Sequence, residues 1–337
     1  MKRTLLIVTG LFVLGGSACR EIALPPAGSY SEVLVVTEKG DRSEWLALLK
    51  PYLEAEHSYV TSTETAFRVT SIRAADLEDF PTYKNVLLCG VMDSGSRVGQ
   101  KIMELIGPEG MERVALGKAA VLKRENLPSP GQMTLIVTAP DVGALAEVIA
   151  ERGPQLEYIL EQSCRERLRR VMLAHPNRKA MDELTRKYGF AIEVPYLYRL
   201  FSDEDNPPGV EFLREEPTRS LGIFWADWER QPSLWDYSDL YDMRAHYVWE
   251  RYSHDKMERE RVRYKWVKFG PYGAVKMYGY WYNDDATAAG GYFETYFIWD
   301  EESELLWAVD LLTFAPGRDK HPLVRELRAF GETFRYN

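Results

Sequence analysis

Apolar and polar residues alternate along this chain with two different periods, and each change of period marks a new predicted element. Glu32 to Thr37 (EVLVVT) is an apolar run with a polar start, which reads as a strand. Ser43 to His57 repeats apolar residues at helical spacing through Trp45, Leu46, Leu49 and Leu53. Phe67 to Ile72 and Asn85 to Val91 predict further strands, and Arg97 to Ile106 a helix. Ala119 to Lys123 and Met133 to Thr138 form a predicted strand pair, joined by turn residues between Asn126 and Gly131. Asp141 stands where it would cap a long helix, which Gly153-Pro154 should break or kink before it resumes towards Leu173.

In the second half, Arg178 to Tyr188 predicts a helix closed by Gly189. Strands are expected at Ala191 to Phe201, Val210 to Arg214 and Leu221 to Ala226, then an aromatic-rich helix from Leu234 to Tyr252. From there the period becomes two: Val262, Tyr264 and Trp266 alternate with Arg261, Arg263 and Lys265. Val275 to Tyr282, Tyr292 to Trp299 and Leu305 to Leu312 continue as strands separated by Asn/Asp/Glu turns, and Leu323 to Thr333 ends as a helix. Hairpin-like turns with irregularly interspersed helices predict an α+β fold of largely antiparallel sheets with packed helices. Eight of the nine tryptophans lie beyond residue 220, which suggests two subdomains, 31–174 and 175–337.

The amino terminus follows a different logic. Lys2 and Arg3 precede the apolar stretch Leu5 to Leu14, and Gly15-Gly16-Ser17-Ala18 lead into Cys19. A charged start, an apolar middle and a small-residue exit make a secretory signal over residues 1–18. The stretch is too short to span a bilayer, which takes about twenty apolar residues. A cysteine directly after the small residues is the position a lipoprotein pathway acylates, so Cys19 is the expected lipidation site, as by palmitate. Residues 19–30, with Pro25-Pro26, are then a tether, and the body is anchored to the membrane without crossing it. The alternative is an ordinary cleaved signal with a nearby cysteine. Arg20, in place of an Asp that would retain the protein at an inner membrane, favours the outer membrane of a two-membrane envelope.

Charge narrows the partners. Cleavage after Ala18 removes two positive charges from a chain of formal charge −9, leaving −11. That acidity argues against a nucleic-acid partner, which requires clustered Lys and Arg. Cys89 and Cys164 remain after Cys19, one in an apolar strand and one in a helix. Two buried thiols fit them better than a disulfide, and no zinc spacing is present. No cofactor is expected.

Tyr188-Gly189-Phe190-Ala191-Ile192-Glu193-Val194-Pro195, Gly279-Tyr280-Trp281, Gly290-Gly291-Tyr292-Phe293, Phe314-Ala315-Pro316 and the segment Lys320 to Phe334 resemble a bacterial lipoprotein family catalogued as domain of unknown function 4837. The likeness is expected over nearly all of the chain after Cys19, with Gly131-Gln132-Met133-Thr134 as a further point. Ala289 and Tyr292 depart from the Met and Pro expected around the glycine pair. The resemblance carries no site or activity and strengthens only the lipoprotein reading.

Four clusters are candidates for chemistry. Gly90 to Arg97 follows a strand and opens a helix like a phosphate loop, but Ser96 and Arg97 replace the Lys and hydroxyl residue that motif needs. Asp242, His246, Glu250 and His254 recur every four residues, although steps of four drift around a helix and spread the outer two apart. Arg259, Arg261, Arg263 and Lys265 would set four cations on one strand face, as a phosphate-binding stripe or as a charged sheet edge. Asp227, Asp284, Asp285 and Glu294 lie among Trp225, Trp228, Trp281 and Tyr282, which suggests a glycan or peptide surface or a carboxylate pair. The expectation is therefore an envelope lipoprotein that binds or scaffolds without chemistry, its ligand surface formed by Trp225, Asp227, Trp228, Trp281 and Asp284. An envelope partner (glycan, peptide or protein) would sit there. The alternative is an envelope hydrolase acting through two carboxylates.

Overall fold

A computed structural model describes residues 26–59, 62–76, 82–92, 94–117, 120–126, 129–229, 235–252, 254–284 and 289–336. The expected signal, Cys19 and most of the tether lie outside the described residues, as does Asp285. The chain runs β1 (Glu32–Thr37), α1 (Glu44–Leu53), β2 (Glu56–Tyr59), β3 (Ser62–Thr65), β4 (Arg68–Arg73), β5 (Asn85–Val91), α2 (Arg97–Ala115), β6 (Val121–Glu125), β7 (Met133–Ala139) and α3 (Val142–Met172). It continues through α4 (Arg178–Tyr188), β8 (Phe190–Ala191), β9 (Arg199–Asp205), β10 (Pro208–Arg214), β11 (Thr218–Asp227), α5 (Tyr237–Arg251) and β12 (Lys256–Met257). Last come β13 (Arg263–Phe269), β14 (Tyr272–Tyr282), β15 (Gly290–Asp300), β16 (Leu305–Phe314), α6 (His321–Gly331) and β17 (Arg335–Tyr336).

The fold is α+β, and its largest sheet is antiparallel throughout, in the order β12-β14-β15-β16-β11-β10-β9 with β13 on β14. The first half adds a mixed sheet, β4-β1-β5-β7-β6, whose first four strands are parallel. Its central strands are buried along almost their whole length because α1 and α3 cover one face and α2 the other. That two-sided burial explains why β1, β5 and β7 read as continuous apolar runs.

Helix α3 corrects the expectation of a break at Gly153-Pro154: it is unbroken over 31 residues. Its buried positions Leu145, Ile149, Gly153, Leu156, Leu160 and Cys164 keep helical spacing across the proline. Packing along that stripe outweighs the one backbone hydrogen bond that Pro154 cannot donate. Gly153 is required there, since a Cβ would lie 2.3 Å from the Tyr52 ring of α1. Asp141 caps α3 through Ala144 N–H (2.9 Å), and Gly189 closes α4 with φ +74°, both as expected. Residues Ile192 to Tyr198 depart from the predicted strand. Ile192 and Val194 are buried, but the ladder stops at Ala191 because Pro195 donates nothing and Glu193 N–H turns to the Thr333 hydroxyl (3.0 Å). The hairpin β2–β3 is too polar to announce itself, and the helix expected to reach His57 stops at Leu53. Cys89 and Cys164 are both free and buried.

The two halves are joined through charge. Glu161 of α3 accepts from Arg325 Nε (3.0 Å) and from His321 Nε2 (2.6 Å), both on α6, and Tyr59 OH donates to His321 Nδ1 (2.6 Å). All four side chains are buried, burial lowers the His321 pKa against the pull of Glu161, and a neutral ring that accepts from Tyr59 at Nδ1 carries its proton on Nε2, facing the Glu161 carboxylate.

Candidate functional site

A cavity of about 720 Å³ opens between α3, the β13–β14 hairpin and the C-terminal end of α6. The hairpin turns on Gly270 and Pro271, and Gly270 has φ +57°, the conformation a two-residue hairpin demands at its first central position. A Cβ at Gly270 would lie 2.6 Å from the Glu332 carbonyl oxygen, so the hairpin tip seats directly on the end of α6.

Seven cationic side chains surround this cleft, Arg165 and Arg169 from α3, Lys265 and Lys268 from β13, Lys276 from β14, Arg328 from α6 and Arg335 from β17, against only Glu166 and Glu332. Arg165 pairs with Glu332 at 3.2 Å. Among the described residues Arg169, Lys265 and Lys268 pair with no carboxylate. In a chain of net charge −9 such a concentration makes a local field that attracts anions.

Behind the cleft wall sits Glu294, fully buried on β15. It accepts from Arg328 Nε (2.7 Å), Tyr292 OH (2.8 Å), Tyr296 OH (2.6 Å) and the Lys276 ammonium. Burial alone would raise its pKa, but the charges of Arg328 and Lys276 outweigh that and hold it well below the carboxylate range. Lys276 is pushed down to about 7, by burial first, with Glu294 opposing and Arg328 reinforcing. The cleft is thus backed by a charge that titrates near neutrality.

The expected ligand surface divides. Trp225, Asp227 and Trp228 do share a second pocket of about 410 Å³ with Asp239, Asp242 and His246 of α5. Trp225 is largely committed to packing, with ring centroids 5.0 Å from Tyr188 and 5.1 Å from Trp307. Trp281 lies in the core beneath α5, its Nε1 donating to the Thr313 carbonyl (3.3 Å), and Asp284 is exposed and paired with Lys256 at 2.6 Å. Neither lines that pocket.

The other clusters also resolve. Glu294 is matched by two cations, so it is not poised as a general acid, and of the other described candidate carboxylates Asp227 lines the second pocket while Asp284 is paired with Lys256. Glu211, which burial pushes up to about 7, lies on β10 in the closed interior and lines neither cavity. The phosphate-loop lead ends at α2, where the Glu38 carboxylate already accepts from Val98 N–H (3.4 Å) and Ser96 caps Gly99 (3.0 Å). In the four-residue series, His254 lies beyond the end of α5 with its ring tilted against Trp249, while Asp242 binds Arg259. The cationic stripe is shorter than expected: Arg259 and Arg261 sit on a 3-10 turn, and only Arg263 and Lys265 are on the strand. Among the described residues no cluster fits a metal ion, and no helix is long and apolar enough to cross a membrane.

The cleft residues come from four separate stretches of the chain, 158–169, 265–276, Tyr296 and 328–335. One local signal does exist: Lys276, Glu294 and Asp310 each interrupt an otherwise apolar strand (GAVKMYG, YFETYF, AVDLL), which is where buried charges pair. Asp310 proves the rule, held by Arg244 at 2.8 Å with both side chains fully buried.

Residues 177–333 match the family described as Domain of unknown function (DUF4837). The chain resembles that family over this stretch, which is narrower than the whole mature chain and leaves Gly131 to Thr134 outside it. No curated protein matches the sequence significantly. The solved structures it resembles include cyanobacterial PsbP (CyanoP) from Synechocystis sp. PCC 6803, at 13% identity and a TM-score of 0.30, covering 44% of this chain and 87% of the other. Another is LpqN of Mycobacterium tuberculosis, involved in cell envelope biogenesis, at 11% identity and a TM-score of 0.27, covering 43% and 81%. At such TM-scores neither fixes the fold or the role of this chain.

Proposed function

We propose that this chain, which resembles a family without assigned activity, is a non-catalytic envelope lipoprotein that binds an anionic ligand in the cleft between α3, the β13–β14 hairpin and α6. The carrying observation is that, among the described residues, Arg169, Lys265, Lys268 and Arg335 line an opening of about 720 Å³ without a carboxylate partner on a protein of net charge −9, while Arg165 is matched by Glu332 and Lys276 and Arg328 by Glu294. Lys265 and Lys268 are exposed and hydrated, so they are free to meet an anionic ligand, and neighbouring like charges add to its attraction. Lipid on Cys19 would hold this body at a membrane surface facing away from the cytosol, where acidic polymers and lipid headgroups are abundant.

Inorganic pyrophosphate tests the cleft. Binding at low ionic strength should weaken about tenfold for each of Lys265→Glu and Lys268→Glu, as expected of losing roughly 1–2 kcal/mol per reversed charge. Arg113→Glu, on α2 across the five-stranded sheet, should leave binding unchanged. No binding to the wild-type chain, or equal binding by all variants, would overturn the reading. The anchor is tested separately. Palmitate should label the wild-type protein in growing cells and not Cys19→Ala, and a wild-type product without lipid mass refutes it.

A further inference from the structure

We infer that the basic cleft continues into a neighbouring pocket and that the two form one groove for a linear acidic glycan laid along β14. This rests on the anion-binding reading above and adds the class of ligand.

The neighbouring pocket, about 430 Å³, is lined by Tyr278, Tyr280 and Arg263 of the hairpin and by the hydroxyl residues Ser58, Ser62 and Thr63 of β2–β3. Its floor is the same sheet face as that of the cleft. Arg263 opposes Tyr278 and Lys265 opposes Lys276 in the β13–β14 ladder, and directly opposed residues, like residues two apart, share a face. Tyr278 bridges the two cavities, with the Lys276 ammonium 4.9 Å and the Lys265 ammonium 5.8 Å from its ring centroid. The opposite wall is continuous too. Tyr158 lines the cleft and Ser58 the pocket, and their chain neighbours Glu157 and His57 are joined at 2.6 Å. From Lys276 to Tyr280 alone the floor runs about 13 Å at strand rise, long enough for a few sugar units.

The chemistry changes along the groove. One end carries cations without a carboxylate partner; the other offers tyrosine rings and hydroxyls beside two arginines already engaged, Arg261 paired with Glu258 at 2.8 Å and Arg263 bound to the Glu260 and Val262 carbonyls. A nucleic-acid strand carries a phosphate at every unit and calls for cations along the whole track. A glycan with uronate or other acidic units needs only some of them, and its remaining sugars want aromatic platforms and hydroxyl partners.

The test uses the full chain with galacturonate, its linear oligomers and single-stranded oligothymidylate. Affinity should rise at least tenfold from monomer to tetramer. Tyr278→Ala, and independently Ser62→Trp to obstruct the far pocket, should remove most of that gain. Pyrophosphate binding by Ser62→Trp should stay at the wild-type value, and the far-ultraviolet circular dichroism of both variants should match the wild-type spectrum, which shows that they are folded. If pyrophosphate binds but galacturonate affinity is flat with length, or neither variant alters it, the continuous groove is wrong while the cleft reading stands. Tighter binding of oligothymidylate than of tetragalacturonate overturns the glycan assignment. Failure of pyrophosphate itself removes the cleft reading and this inference with it.

Discussion

Glu161→Ala is expected to destabilise the chain by about 3–5 kcal/mol, because it leaves the buried Arg325 guanidinium without its counter-charge. Arg325 is 1% exposed and His321 2%, so water cannot take over the role of the carboxylate. Urea denaturation measures the loss, and a drop below about 1 kcal/mol would mean that Glu161 does not hold the two halves together. Replacing both partners, Glu161→Leu with Arg325→Met, should recover much of the stability, since a buried pair exchanged for packed apolar groups is often near neutral. The same cluster sets an acid sensitivity. Glu161 is held far below its ordinary pKa: burial would raise it, but Arg325 and the His321 hydrogen bond outweigh that. His321 is lowered by burial first, against the attraction of Glu161. Both groups bind protons more readily in the unfolded chain, so stability falls as pH drops, first through the ordinary histidine range and then through the ordinary carboxylate range. Glu161→Ala should lose the lower part of that profile.

The second large effect is at Glu294. Its replacement by alanine leaves Arg328 and Lys276 facing each other in a buried space and should cost about 3–5 kcal/mol by urea denaturation. A cost under about 1 kcal/mol would show that the two cations are solvated from the cleft instead. Lys276 then gives a functional signature. The groups facing it are Glu294 and Tyr296 from β15, Arg328 from α6, Lys265 from β13 and Tyr278 on its own strand. With Lys276 pushed down to about 7, the cleft loses a positive charge as pH rises through neutrality. Tetragalacturonate, whose carboxylates stay ionised over that interval, should bind several-fold more weakly at pH 8 than at pH 6, and Lys276→Met should flatten the profile. For folding the sign is opposite: between about 7 and the ordinary lysine pKa the unfolded chain holds the extra proton, so stability attributable to Lys276 rises with pH across that window. Binding that strengthens from pH 6 to pH 8 would contradict the assigned charge state.

How much of this was legible beforehand follows from the range of each interaction. Asp141 and Gly189 announced their helix ends because a cap is settled within a few residues. The hairpin strands β14, β15 and β16 showed themselves by alternation and turn residues, and they lie within residues 177–333, the stretch that resembles the family of unknown function. Pro154 misled because the local rule was overridden by a stripe of buried side chains beyond it. Trp281 misled because alternation leaves open which side of a sheet will be covered, and α5 covers that one.

The sequence by itself determined most of the local elements, the α+β class, the fate of most apolar side chains and the charge that makes any cationic patch conspicuous. Only the tertiary structure decided where charges meet. Glu161 finds Arg325 and Glu294 finds Lys276 and Arg328 across long separations in the chain, and a Coulomb interaction depends on distance and burial, which no spacing along a polymer encodes. The cleft exists because α3, a β-hairpin and α6 converge, and that convergence is a property of packing.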